Sequence, residues 1–452
     1  MRLSIVTAVV AATLGTVISS PAHAQVATPS GMRGGSLQAQ AAGVTAISLD
    51  EALRQAQAHS PQLVQARGQS RVANAQYKAS LASFLPSVYV GQGTSHNQGQ
   101  VYVQGVLLNS LGGWSSNQYY SASMTVFNGG QRILDYQAAK ASLDAADQSQ
   151  IIQHYAIDLN VKQQYFAVLA NREAVDAAER SLEEAQQQMA VTNARLAGGA
   201  VSRADSLTSA VAVGQARVNL VTVQGQLATA NAALTRLIGS EQEVTAMPED
   251  TASIPSITLD TTALIALALN GPSVQAAQHQ VAANRSNWWA SLAAYLPSLS
   301  MGYSGGSGWQ NDHFVLGGGT KNNNTALSFS LGWGLFDGLQ RESRVVQADV
   351  ARDNALATYR DARLGARASI TQWLAQFRTA ETRIALQATA IRSGEESVAA
   401  KDAQYRAGAV SLVDVLQAQS TLATARLGLI QARLDARTAK AQIEAVIGKE
   451  IE

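Results

Sequence analysis

The sequence superposes on itself at an offset of 209 residues: Val201, Ser202, Asp205 and Ile238-Gly239 fall on Val410, Ser411, Asp414 and Ile447-Gly448. The match covers a seven-residue apolar spacing as well as a two-residue alternation, so one unit holding both long helices and strands is present twice. Val161, Val168, Val175, Leu182, Met189 and Leu196 stand at strict sevens, and their counterparts Ile370, Phe377, Ile384, Ile391, Val398 and Tyr405 are also apolar. That is coiled-coil spacing. The helical pattern after Asn128-Gly129-Gly130, and again after Asp337-Gly338-Leu339, lasts about 67 residues, roughly 100 Å at the rise of an α-helix and too long for a globular core. Return helices pair Val213, Ala216, Leu220, Val223, Leu227, Ala230, Leu234 and Leu237 with Leu422, Ala425, Leu429, Ala432, Ala436, Ala439, Ile443 and Val446. Small residues alternating with large ones predict close antiparallel packing. The hairpins turn at residues 197–202 and 407–411, where glycine permits a left-handed exit and serine caps the next helix.

Ahead of each long hairpin the unit holds a shorter helix and two strands. Ser48-Leu49-Asp50-Glu51 is a capping box, and the helical pattern it opens runs to Pro86; its partner starts near Leu259-Asp260 and stops at Pro297. The junctions Phe84-Leu85-Pro86-Ser87 and Tyr295-Leu296-Pro297-Ser298 match at an offset of 211, so the first half carries two extra residues beyond them. Tyr120, Ala122, Met124 and Val126 then alternate with Ser121, Ser123 and Thr125, as Phe329, Leu331, Trp333 and Leu335 do with Ser330, Gly332 and Gly334. Weaker strands fall at 88–94 and 299–304, with Gly- and Asn-rich loops at 95–117 and 305–324. Each half offers one strand hairpin, giving four strands per chain.

The N-terminus, Met1-Arg2 followed by an apolar run and Pro21-Ala22-His23-Ala24, predicts a secretory signal peptide over 1–24. Residues 25–47 read as a flexible N-terminal arm, 48–239 as the first structural repeat, 240–258 as a linker or equatorial segment, and 259–452 as the second repeat. No later run reaches the ~20 apolar residues of a spanning helix, so a bilayer crossing requires a closed β-barrel. Four strands are too few, since the smallest membrane barrels need about eight; two copies supply eight and three supply twelve. Phe329, Leu331, Trp333 and Leu335 would then face lipid while Ser330, Gly332 and Gly334 face water, with Trp333, Phe336 and Phe127 as an aromatic girdle. There are no cysteines, which excludes disulfides, thiolate metal sites and a lipidated N-terminal cysteine. A formal charge of +1 gives no support to a nucleic-acid partner. His59, His96, His154, His279 and His313 are scattered without zinc spacing, and Gly317-Gly318-Gly319-Thr320-Lys321 lacks the order of a phosphate loop. No catalytic, metal or cofactor site is expected, and the chain does not read as an enzyme.

The Leu49-Asp50-Glu51-Ala52-Leu53 opening, the two Phe/Tyr-Leu-Pro-Ser junctions, Phe127-Asn128-Gly129-Gly130, Phe336-Asp337-Gly338 and the two Ala-Gly-x-Val-Ser-x-x-Asp-like tips resemble the TolC-like outer membrane efflux proteins. The resemblance covers the chain from about Ser48 to its C-terminus. It implies a mainly α fold with a membrane β-barrel: a homotrimer with a twelve-stranded barrel in the Gram-negative outer membrane and a twelve-helix tunnel in the periplasm. Such a channel serves a periplasmic adaptor (membrane fusion protein) and an inner-membrane pump or ABC exporter, exporting drugs, metabolites or polypeptides. The resemblance also places a gate at the helical tips. Asp414 matches the first ring carboxylate, Gln417 stands where a second acid often sits, and Asp205 matches the carboxylate of the inter-helix link. The basic link position is Val410 here; Tyr405 is a retained link donor, and Arg406 or Arg203 is the substitute cation. The tip residues Gly198, Gly199, Val201, Ser202, Gly408, Val410 and Ser411 fall where an adaptor docks. Ser202-x-x-Asp205 and Ser411-x-x-Asp414 are equally capping boxes, for which the two acids do no more than close a helix N-terminus. A different class of function, an exported coiled-coil structural or adhesive surface protein with the strands as a head, also fits the periodicities.

Overall fold

The computed structural model describes residues 44–97, 100–109, 113–248, 257–258, 260–311, 313–314, 316 and 320–451. The signal peptide and most of the N-terminal arm lie outside the described residues. The end of the arm segment does not stay aperiodic: Thr45–Ile47 forms β1, which pairs in parallel with β6 (Val244–Ala246) from the linker.

The helix opened by Ser48 is two helices. Ser48 Oγ accepts from Glu51 N at 3.3 Å to start α1 (Leu49–His59), while the Glu51 carboxylate turns outward to Arg54 and Gln55. Pro61 cannot follow in the same helix, because it lacks an N–H and its ring disfavours a helical residue before it. Ser60, extended at φ −65° and ψ 120°, therefore ends α1 and caps α2 (Pro61–Ala82). Pro272 makes the same break between α5 (Thr261–Leu269) and α6 (Pro272–Ala293). There Gly271 lets the backbones touch, since a Cβ would stand 2.7 Å from the Val446 carbonyl.

Four antiparallel strands form one sheet in the order β2 (Ser87–Asn97), β5 (Gly113–Asn128), β7 (Ser298–Asn311), β8 (Thr320–Gly332). The strands extend well into the segments predicted as loops. Ser and Asn side chains bond across the ladder there, Ser95 to Ser115 at 2.8 Å and Ser307 to Asn323 at 2.7 Å, so pairing continues where apolar alternation has faded. The first loop also holds a hairpin, β3 (Gln100–Val103) and β4 (Val106–Asn109), turning on Gln104 and Gly105 at φ 51° and 82°. Two left-handed residues are what a two-residue hairpin turn matching strand twist requires. By contrast β8 stops at Gly332, leaving Trp333 and Leu335 beyond the strand: Arg341 takes the next carbonyls, Gly334 at 2.6 Å and Leu335 at 3.0 Å. The register puts Val88, Ala122, Tyr303 and Leu327 abreast, with Met124, Met301 and Phe329 one step along the same face; Ser123, Gly302 and Ser328 lie on the other. Leu327, Phe329 and Leu331 are 61–75% exposed. Within the described residues the sheet is open, with β2 and β8 as its edges.

Two helical hairpins complete the repeats: α3 (Gln131–Ala197) with α4 (Arg203–Ile238), and α7 (Gln340–Arg406) with α8 (Leu412–Ile447), of 67 and 36 residues in both cases. Val161, Tyr165 and Val168 pack with Leu234 and Ile238 in the first, and Ile370 and Leu374 pack with Ile443 and Ile447 in the second. Because α8 lies against both α7 and α3, it buries small residues, Ala432, Ala436 and Ala439, where a larger side chain would separate the helices. Lys162 on α3 meets the buried Glu444 of α8 at 2.6 Å. The Tyr165 hydroxyl stands 3.3 Å from the carbonyls of both Ile47 and Met247, and Arg172 donates to Ala246 O at 3.0 Å, which ties the β1–β6 pair to α3.

Candidate functional site at the helical tips

Both hairpins turn by the same device. Gly199 and Gly408 take φ of 73° and 76°, a region open to glycine at little cost, and the following N–H groups fold back, Ala200 to Arg195 O and Ala409 to Gln404 O, each at 2.9 Å. Gly198 is the residue that ends α3. Ser202 and Ser411 then cap the return helices in reciprocal boxes. Ser202 N and Oγ donate to Asp205 Oδ2 at 3.0 and 2.8 Å while Asp205 N donates to Ser202 Oγ at 3.2 Å. In the second tip the corresponding distances are 3.0, 2.6 and 3.3 Å. The Ser411 hydroxyl and N–H hold the Asp414 carboxyl below the usual carboxylate range, so it is ionised at neutral pH. Gln417 lies one turn further along the exposed face of α8.

The two tips touch. Val201 from the first and Val410 from the second pack, with Val191 and Leu416, on a small core of Tyr405, Leu412 and Val415. Val410 thus serves as an apolar contact at the position where the resemblance places a cation. Arg406 does not cross between hairpins: it pairs with Asp402 on its own helix at 2.8 Å. Tyr405, 3% exposed, sends its hydroxyl to Thr192 Oγ1 at 3.3 Å, and Asp205 is engaged by its own cap.

The cation that crosses is Arg195, which sequence reasoning missed. Its guanidinium lies 4.6 Å from the Tyr405 ring centroid, and its Nη1 donates to the Tyr405 carbonyl. A guanidinium over an aromatic face combined with a charge-assisted hydrogen bond is a strong local fastening. The available signal was the broken echo at this point: Arg195-Leu196 in one copy, Gln404-Tyr405 in the other. Higher on the same seam Arg426 of α8 reaches Glu184 of α3 at 2.9 Å and Glu395 of α7 at 3.5 Å. Among the described residues no three His, Asp or Glu side chains group as a metal site, and no helix is long and apolar enough to cross a membrane.

Comparison with known proteins gives this geometry its context. The outer membrane efflux protein family matches residues 52–240 and 264–449, one stretch in each repeat. The cation efflux system protein CusC of Escherichia coli (strain K12) is 24% identical over 297 residues, 65% of this chain and 64% of CusC, so the alignment spans somewhat under two thirds of that relative. The pyoverdine export outer membrane protein OpmQ of Pseudomonas aeruginosa is 26% identical over 346 residues, 73% of this chain and 67% of OpmQ. Crystal structures of CusC superpose with a TM-score of 0.78 at 20% identity, covering 90% of this chain and 94% of that one. The chain belongs to the outer membrane efflux protein family, TolC-like channels of the Gram-negative outer membrane with a periplasmic helical tunnel, which are not enzymes.

Proposed function

We propose that three copies of this chain form one export duct. The open four-stranded sheet, apolar on one face and small or polar on the other, carries this reading. Its two edges leave backbone groups that lipid cannot satisfy, and three sheets edge to edge make a twelve-stranded barrel. The repeats 48–239 and 259–452 then supply alternate staves of a twelve-helix periplasmic tunnel, joined through the equatorial segment 240–258. An inner-membrane pump or ABC exporter, coupled through a periplasmic adaptor, feeds it with small molecules or polypeptides; export is the role named for both CusC and OpmQ. The match to the outer membrane efflux protein family supports a duct over a surface adhesin.

The tips form the gate. Three Asp414 carboxylates converge on the axis, with Gln417 as an uncharged second ring that leaves one ionised girdle, attractive to cations. Tyr405 holds the two tips in register through the Arg195 contact, while Asp205 closes the cap of its own helix and Arg406 pairs along its own. Gly198, Gly199, Val201, Ser202, Gly408, Val410 and Ser411 present a small, smooth surface to the adaptor's hairpin. Native mass measurement of the detergent-purified oligomer should give three copies, and planar bilayers should show conductance blocked by a trivalent cation. Asp414→Ala should remove the block; unchanged block moves the gate elsewhere, and a monomer with no conductance removes the duct.

A further inference from the structure

A cavity of about 630 Å³ is walled by α3, α7 and α8 of a single chain, a size within the roughly 300–1,000 Å³ of small-molecule sites. Because α8 lies against both α3 and α7, copies that join at the outer helices and the sheet edges do not cover it. Its floor is alanine, Ala167, Ala375, Ala380 and Ala439, and longer side chains stand around that floor. Phe377 and Ile384 of α7, with Ala432 and Ala436 of α8, turn to the core that takes in Ile257, and Ile370 and Ile443 turn to the core shared with α5. With 3.6 residues per turn, Gln376 and Arg383, and likewise Gln431 and Asp435, stand on the far side of the same helices. A tunnel has to keep its bore clear of α5 and the β1–β6 pair, so that far side is the one that lines it.

Arg383 is the telling member. Along the α3–α8 seam Lys162, Arg426 and Arg433 are engaged by Glu444, Glu184 and Glu173. Arg383 comes only within 3.6 Å of Asp435, through Nη1 and beyond hydrogen-bond reach, which leaves Nε and Nη2 to a ligand; among the described residues its guanidinium makes no hydrogen bond. Asp435 is held instead by Gln431 Nε2 at 2.8 Å. The amides of Gln163 and Gln376 are likewise unbonded among the described residues. At the 209 offset the counterparts of Arg383, Asp435, Gln376 and Gln431 are Ala174, Gln226, Ala167 and Thr222, so the second copy alone carries the charge. A guanidinium with free donors fits a carboxylate in two parallel bonds, and a glutamine amide offers donors and an acceptor to another amide. We infer that the cavity is a transit site for small molecules bearing a carboxylate and amide groups, the chemistry of a short peptide. Arg383 anchors the carboxylate, Gln163, Gln376 and Gln431 pair with the amides, and the alanine floor is an apolar seat. The Arg383 side chain is 62% exposed, so the grip is weak, as a duct needs if cargo is both to enter and to leave. That role rests on the duct reading above, to which it adds a cargo class.

The test uses the full-length, detergent-purified oligomer and two probes, N-acetyl-dialanine as the free acid and as its C-terminal amide. Affinity is read by saturation-transfer NMR, and transit by current noise in planar bilayers. The acid should bind about tenfold or more tighter than the amide. Arg383→Gln should erase that difference, while Gln376→Leu should weaken both probes severalfold; both positions are exposed, so the helices keep their packing. Arg392→Gln, on an exposed turn of α7 outside the cavity, should change neither affinity. In bilayers the acid should raise the current noise of the wild type and not that of Arg383→Gln. Equal binding of acid and amide, or acid binding that survives Arg383→Gln, overturns the site. If the oligomer conducts and the acid leaves its noise unchanged, the transit site is wrong and the duct stands; without conductance the duct reading fails and the site with it.

Discussion

In the first helical hairpin, positions 195 and 196 are Arg and Leu; in the second the equivalent positions, 404 and 405, are Gln and Tyr. Around that difference almost everything else agrees, including helix lengths, turn glycines and capping distances. A duplicated scaffold therefore keeps its backbone rules and diverges where its copies meet. One tip contributes a guanidinium donor and a threonine hydroxyl, and the other presents a ring, a carbonyl and a phenol. The same division holds at mid-height, where Tyr165 of the first copy binds the β1–β6 strands and its counterpart Leu374 simply packs in the core.

Breaking the inter-tip contact should have the largest effect. Arg195→Ala removes a cation–π contact and a charge-assisted hydrogen bond, together about 2–4 kcal/mol, which converts to tens to hundreds of fold in tip opening. Hydrogen exchange across residues 407–411 should accelerate accordingly. Arg195→Lys should recover only part of it, because an ammonium lacks the planar fork. Next, Tyr165→Leu makes the first copy resemble the second and should cost about 2 kcal/mol, read as faster exchange at residues 45–47; the effect should stay within that strand pair. Ser202→Ala and Ser411→Ala should each loosen the first turn of their helices by about 1 kcal/mol, and equally; a difference beyond about 0.5 kcal/mol would mean the surroundings of the tips outweigh their shared caps.

The smallest effects concern charge. Arg406→Ala breaks only an exposed pair within one helix and should change tip exchange by about 0.5 kcal/mol or less. Asp414 carries a lowered pKa from its Ser411 bonds, so its cap is fully present above the ordinary carboxylate range near pH 4 and is lost as pH falls through the lowered value. Cation block should therefore weaken as pH falls, with a midpoint that the Ser411 bonds hold down. Ser411→Ala should move that midpoint upward.

Much of the fold was legible because its rules are periodic. Sevens at Val161 and Val168, and at Ile370 and Phe377, mark buried positions, and an Asn/Asp-Gly signal precedes each long helix. The strand ends were not legible, since Ser and Asn ladders extend β2 and β7 without an apolar signature, while Arg341 ends β8 inside a pattern that still alternates. Lower on α3 the buried positions pass from the sevens to Ala178, Ala185 and Thr192, small residues on which a hydrophobic count is silent. At the tips the capping boxes could be read locally, but the partner of Tyr405 is 210 residues away in sequence, and no local spacing points to Arg195.

The most direct measurement is single-channel conductance of the purified oligomer in planar bilayers, wild type against Arg195→Ala. One pore closed by joined but unequal tips predicts small, brief openings in the wild type and a rise of at least tenfold in open probability when Arg195 is removed. Equal conductance in the two proteins would contradict the gate, and silence in both would contradict the pore.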